Sequence, residues 1–227
     1  TMLILIVWKN ITGRAIREQQ RIAMTNAVAH NLKTPLCVIN GFSENLREES
    51  GYLTKQHYIN VIQEQANEMD ILVHKMLNFS KLESDSAKLN IKSFNIKTEL
   101  ENIAKKYNDI SSKNIIVTAD DKEIFADKEL MELVFENLIE NAVKYSKDNS
   151  DIKISFANNN FNISNECDEI SKKDLKKIWK PYNRLEKDEE VRGTGIGLSI
   201  VKHILKLHRI KPYTEYSGGR LIIGFYI

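Results

Sequence analysis

Glu136-Asn137-Leu138-Ile139-Glu140-Asn141-Ala142-Val143-Lys144-Tyr145-Ser146 decides how this chain is read. Asn137, Asn141 and Lys144 follow one another at spacings of four and three, so one face of a helix presents two amides and a cation. Amide oxygens are hard ligands suited to Mg²⁺, and a lysine meets a phosphate as a point charge. A polar helix face taken alone is usually just solvated, so its weight depends on what surrounds it.

Outward from this helix, apolar periodicity predicts strands near Ile91 to Ile96, Ile115 to Ala119, Glu123 to Ala126, Ile152 to Phe156, Phe161 to Ser164, Pro212 to Tyr216 and Leu221 to Tyr226. Helices are expected near Thr98 to Tyr107, Lys128 to Ser146, Lys172 to Trp179 and Leu198 to Leu207. Asn158-Asn159-Asn160 reads as a hairpin turn. Strands gathered with helices on one face imply an α+β fold, here a two-layer α/β sandwich.

Upstream the period is helical throughout. Met24, Ala27, Val28, Leu32, Leu36, Ile39, Phe42 and Leu46 recur at helical spacing, with Pro35 as the one internal breaker. A polar turn follows over Arg47 to Gly51, and the pattern resumes from Thr54 to Leu82. Two such helices make an antiparallel hairpin whose apolar stripe is only half covered. A second copy, completing a dimeric four-helix bundle, is the natural cover. The expected organisation is therefore a hairpin over 11–83, a linker over 84–90 and the sandwich over 91–227. Residues 1–10 hold the apolar run Met2 to Trp8 followed by Lys9, which fits the end of a transmembrane segment or a membrane-proximal helix. The remainder would then lie at the cytoplasmic face of the membrane.

Composition excludes little but excludes it firmly. With 33 basic and 31 acidic residues the net charge is +2, which offers no field for recruiting nucleic acid. Cys37 and Cys167 are far apart and lack metal-ligand spacing, so neither zinc nor a disulfide is expected.

Within the first helix, His30 lies five residues before Pro35 in Ala29-His30-Asn31-Leu32-Lys33-Thr34-Pro35-Leu36. The proline removes a helical hydrogen bond and loosens that turn, and a neutral imidazole nitrogen there is a competent nucleophile. This segment resembles the H box of histidine kinases, matching at His30, Lys33, Thr34, Pro35 and Leu36. Asn31 departs from it, because the family carries an acid there that takes the imidazole proton, and an amide can accept a hydrogen bond but no proton. Weakened autophosphorylation is the implied consequence. A phosphatase reaction, which the family assigns to the pair equivalent to Asn31 and Thr34, would be affected as well.

The helix quoted at the outset resembles the N box of the ATP-binding fold shared by histidine kinases, gyrase-type ATPases and Hsp90-type chaperones. That resemblance implies that Asn141 binds Mg²⁺, Asn137 assists, Lys144 meets phosphate and Tyr145 lies near the adenine. Hydrolysing relatives carry glutamate in place of Asn137, which favours a kinase over an ATPase. Arg192-Gly193-Thr194-Gly195-Ile196-Gly197-Leu198-Ser199 leads straight into a helix, where glycines admit phosphate oxygens to backbone amides and the helix start adds its positive end. It resembles the G2 box, with Gly193, Gly195, Gly197 and Leu198 beside the nucleotide and a charged lid over Leu185 to Val191. Lys180 to Arg184 resembles the F box, and Arg184 and Arg192 are candidate phosphate contacts.

Asn165-Glu166-Cys167-Asp168-Glu169-Ile170 stands where the family usually has Asp-x-Gly-x-Gly. Asn165 can still accept from the adenine amino group, while Cys167 and Glu169 in place of glycines imply a stiffer, differently shaped backbone. Ser217-Gly218-Gly219-Arg220 reads equally as a reduced G3 box or a plain hairpin turn. His57, His74, His203 and His208 are isolated from acidic or cysteine partners and are read as solvated or helix-terminal.

The boxes occur in the family's order over nearly all of the chain after residue 20. The resemblance thus implies a sensor histidine kinase that uses ATP and Mg²⁺ to phosphorylate His30 and passes the group to an aspartate of a response regulator. Asn31, Cys167 and Glu169 keep a second reading open, a degenerate kinase that dimerises and holds the regulator without transferring phosphate.

Overall fold

The computed structural model describes residue 29 and residues 32–47, 54–83, 89–180 and 195–227. The N-terminal apolar run, His30, Asn31 and the stretch 181–194 with Arg184, Arg192 and Gly193 lie outside the described residues. The chain forms two compact units, Thr1–Glu83 and Ser84–Ile227.

The first unit is helical. Helix α1 covers 32–47 and helix α2 is Lys55–Glu83. Thr54 caps α2, its hydroxyl oxygen accepting from the His57 N–H at 3.3 Å. Phe42 of α1 meets Tyr58 of α2 edge to face at 5.7 Å. Along α2 the buried positions Tyr58, Gln65 and Leu72 are separated by half-buried Ile62 and Met69, alternate steps of four and three that define a coiled-coil seam. Ile59, Ile71 and Val73 remain exposed beside it. Among the described residues no helix is long and apolar enough to cross a membrane.

The second unit is the expected sandwich, with its strands divided between two sheets. Strands β1 (Ile91–Asn95) and β3 (Glu123–Asp127) pair antiparallel as a separate ribbon. A five-stranded sheet takes the others in the order β2 (Ile115–Ala119), β4 (Ile152–Ala157), β5 (Asn160–Glu166), β7 (Arg220–Tyr226) and β6 (Tyr213–Ser217). Within this sheet only β2 and β4 run parallel, and the long connection through β3 and the helix Lys128–Tyr145 provides the crossover that a parallel pair needs. The turns obey local chemistry. Asn158 and Asn159 stand at φ 53° and 62° between β4 and β5, and Gly218 and Gly219 at 58° and 77° between β6 and β7, the mirror-image turn that suits a twisted hairpin. The Ser217–Arg220 segment is thus a hairpin turn in its geometry.

Alternation in the strands builds the core. Ile152, Ile154 and Phe156 of β4, Phe161 and Ile163 of β5, and Leu221, Ile223 and Phe225 of β7 all point inward. Phe161 and Phe225 are register partners with rings 4.8 Å apart, and Phe135 of α4 (Lys128–Tyr145) adds its ring at 5.1 Å from Phe161. Around this cluster α4 packs on β5 and on α6 (Gly197–Leu207), while α3 (Ile96–Ile110) packs on β2. Asn95 caps α3 by accepting from the Thr98 N–H at 2.9 Å, which starts that helix two residues before its apolar period suggests. A short helix, α5 (Lys172–Lys177), lies before Trp179.

Candidate nucleotide site

Helix α4 separates its polar residues into two edges. Toward α3, Glu136 Oε1 lies 2.7 Å from Lys106 Nζ, and this hydrogen bond holds the Lys106 ammonium above its ordinary range. Glu132, partly desolvated and near the Glu99 and Glu136 carboxylates, is pushed up from the usual glutamate value. Toward α6, Asn137 is buried, donates Nδ2 to its own Leu133 carbonyl at 2.7 Å, and turns Oδ1 toward the start of α6. A Cβ placed on Gly197 would sit 3.0 Å from that Oδ1. The N box and the G2 box therefore touch, and Gly197 allows the approach. Asn141, Lys144 and Tyr145 continue along α4, all half-buried, with Lys144 Nζ 5.5 Å from the Tyr145 ring centre.

The end of α4 is held by groups that its own sequence does not reveal. Ser146 caps it, its N–H bonding Ala142 O at 3.0 Å. Lys113, from the loop between α3 and β2, donates from Nζ to Ser146 O at 3.2 Å, Lys147 O at 2.8 Å and Asp148 Oδ1 at 3.0 Å. A cation on the last carbonyls also complements the negative end of the helix. The Lys147 N–H then bonds Glu166 O at 2.9 Å, tying the exit of α4 to the end of β5.

There Asn165 is buried on the inner face of β5, opposite Leu221, with Nδ2 3.4 Å from the Glu166 carbonyl. Cys167 is also buried, and its N–H bonds Gly219 O at 3.1 Å, while Glu169 is exposed. Neither residue adopts positive φ, so the side chains that replace two glycines need no left-handed backbone here. Gly195 has φ 65°, a conformation suited to glycine, and Gly197 and half-buried Leu198 open α6. In the first unit, Thr34 is exposed and Pro35 buried within α1.

Chemically, this edge of α4 offers amide oxygens, and the start of α6 backbone N–H groups, rather than acids. Among the described residues no three of His, Cys, Asp and Glu cluster as metal ligands. A divalent ion could be held here through amide oxygens together with the phosphates it accompanies. Glu136, paired with Lys106 on the α3 edge, is turned away from the Asn137 edge and is unsuited to activating water there. Nothing in the sequence singles out Lys113, and His208 is expected there only as a solvated or helix-terminal residue. His208 does stand at the end of α6, but its ring also accepts from the Asp127 N–H at 3.1 Å.

Comparison with known proteins bears on the two units. Residues 20–85 match the His Kinase A (phospho-acceptor) domain, and residues 126–223 match the histidine kinase-, DNA gyrase B- and HSP90-like ATPase. The sensor histidine kinase ArsS of Helicobacter pylori is 25% identical over 205 residues, covering 89% of this chain and 46% of that protein. The sensor protein kinase WalK of Staphylococcus aureus is 27% identical over 229 residues, covering 94% and 55%. The chain thus spans about half the length of these relatives. The fold resembles the Acinetobacter baumannii histidine kinase AdeS, with TM-score 0.71 and 22% identity over 87% of this chain and 96% of that one. It likewise resembles the histidine kinase ThkA, solved in complex with the response regulator TrrA, with TM-score 0.70 and 23% identity over 97% and 66%. With a phospho-acceptor domain and an ATPase-type domain following one another over more than half of its residues, this chain belongs to the sensor histidine kinases of two-component systems.

Proposed function

We propose that this chain binds ATP with Mg²⁺ in its sandwich unit, transfers the γ-phosphoryl group to His30 and passes it to an aspartate of a response regulator. The contact of Asn137 Oδ1 with the Gly197 position is the observation that carries this reading, because it sets the amide face of α4 against the glycine-led start of α6. Asn141 and Asn137 would hold Mg²⁺, which when bound supplies charge neutralisation on the phosphates. Lys144 adds a cation beside them. Gly195, Gly197 and Leu198 present backbone N–H groups at the helix start, and the Arg184, Arg192 and Gly193 assignments extend that cradle into the lid. Asn165 accepts from the adenine amino group and Tyr145 flanks the base. Positioning and electrostatics account for the catalysis in this scheme.

The hairpin supplies the nucleophile. His30 and Asn31 act together with Thr34, and Asn31 orients the imidazole without taking its proton, so transfer is slow relative to a version with an acid there. Two copies of the chain pair through their hairpins, the regulator docks on the bundle, and residues 1–10 approach the membrane. A phosphatase reaction on the regulator would use the same residues, Asn31 and Thr34.

Incubation with γ-labelled ATP and magnesium tests the scheme. An acid-labile, alkali-stable label is expected on the chain, absent from His30→Gln and stronger by about tenfold or more in Asn31→Asp, the usual scale of a general base. Nucleotide binding without label on any version would replace the kinase by a regulator-binding protein.

A further inference from the structure

His208 follows the last residue of α6, and both nitrogens of its ring are engaged. Nδ1 lies 2.9 Å from Ile204 O, which can only accept, so Nδ1 carries the proton. Nε2 lies 3.1 Å from the Asp127 nitrogen and accepts its N–H, so Nε2 is bare. One neutral tautomer satisfies both bonds.

Asp127 is no ordinary partner. It is the N-cap of α4, with Oδ1 accepting from the Leu130 N–H at 3.3 Å, and its Oδ2 accepts from the Asn90 N–H at 2.8 Å where the chain enters β1. His208 therefore grips the N-cap of the helix whose middle turn, at Asn137, faces Gly197. The spacing makes these two contacts a ladder. Asp127 and Asn137 are ten residues apart, and Gly197 and His208 eleven, roughly 15 Å and 16 Å of helix at about 1.5 Å per residue. Two antiparallel helices joined at both ends of equal spans have a fixed axial register.

We infer that His208 is a positioning residue for nucleotide binding. It acts through Asp127 to set α6 against α4, and so fixes where the glycine-led start of α6 stands relative to Asn137 and Asn141. It touches no phosphate. A slip of one residue along α6 would carry Gly197 by about 1.5 Å, a displacement that suffices to impair a site built on placement. Packing of Ile200, Val201, Ile204 and Leu205, all buried, holds α6 on the core, and the His208 bond adds a directional restraint at its C-terminal end. The inference rests on the nucleotide-site reading above.

Two substitutions separate the role from simple packing. In His208→Asn the short amide can still donate to Ile204 O but cannot reach Asp127; in His208→Gln the longer amide can accept from the Asp127 N–H. The dissociation constant for a non-hydrolysable ATP analogue with magnesium is measured on the whole chain, at a temperature where thermal melts show each variant folded. His208→Asn is expected to bind about tenfold more weakly than the parent, and His208→Gln within about threefold of it. Equal affinity in parent and His208→Asn overturns the inference, as does an equal loss in the two variants. Should His208→Asn not fold, a tenfold loss in His208→Gln overturns it and retention supports it. A parent chain that binds no nucleotide removes the site reading itself, and this inference with it.

Discussion

The helical unit and the sandwich bury their apolar residues on different terms. In the sandwich, Phe135, Phe156, Phe161 and Phe225 are fully enclosed and Ile96, Leu100, Met131, Leu138 and Ile139 surround them, so one copy of the chain completes the core. In the hairpin, Tyr58 and Leu72 mark a seam only one side chain wide, while Ile71 keeps 54% of its surface and Leu36 48%. A two-helix unit has too little interior to hide its own stripe. The sandwich is thus self-sufficient, whereas the hairpin leaves apolar surface uncovered, as the proposed pairing of two copies requires. On the proposed function, such an arrangement ties presentation of the phosphate acceptor to pairing, whereas the sandwich core needs no partner to fold.

The severest way to break that contrast is Phe161→Ala, which should destabilise the sandwich by about 3 to 5 kcal/mol, read from Trp179 fluorescence in denaturant, while leaving the helical transition in place. Loss of both transitions together would show that the units are not independent. Lys113→Met comes next. Removing the cation from the carbonyls of Ser146 and Lys147 should cost about 2 kcal/mol, again confined to the Trp179 signal. Dilution sharpens the comparison from the other side. Each tenfold dilution should weaken the hairpin by about 1.4 kcal/mol if it unfolds from a dimer, and a hairpin transition that ignores concentration would refute pairing.

The smallest effect is electrostatic. Burial, followed by Glu99 and then Glu136, raises the pKa of Glu132 in the folded chain. A carboxyl raised in this way favours the folded state while protonated, and that contribution is lost as pH rises through the folded pKa. At neutral pH the ionised side chain therefore costs stability, so Glu132→Gln should stabilise the sandwich there by less than about 1 kcal/mol after solvent screening. The advantage should disappear as the pH falls below the ordinary glutamate value of 4.5. A variant less stable than the parent at neutral pH would reverse the assignment.

Much of this architecture could be read from local pattern. Alternation at Phe161 and Ile163 marks an inward strand face, and consecutive asparagines at 158 and 159 accept the left-handed backbone that a tight hairpin needs. Asn137 was legible because its neighbours sit at helical spacing. What alternation does not encode is which strands pair. Phe125, 73% exposed in the centre of β3, looks like any inward aromatic in the sequence until β1 and β3 are seen to form a ribbon of their own. Lys113 and His208 escaped for the same reason in side-chain form. Lys113 meets carbonyls more than thirty residues on, and His208 meets Asp127 eighty-one residues back, and nothing local to a lone lysine or histidine announces a distant backbone partner.

The strand order carries a consequence for synthesis. β7 is the last in sequence of the seven strands among the described residues, yet it lies inside the sheet between β5 and β6. As the chain leaves the ribosome, β5 presents an open edge until residues 220–226 emerge, and the row that sets Leu221 opposite Asn165 cannot close before then. The Asn165 end of β5 is therefore the last part of the sheet to be made. A nascent chain waiting at that stage exposes one open edge of β5, with Phe161 and Ile163 on one face, which is the kind of edge that recruits chaperones or a neighbouring copy. Ribosome stalling just upstream of β7 should be far more hazardous for this molecule than stalling between its two units.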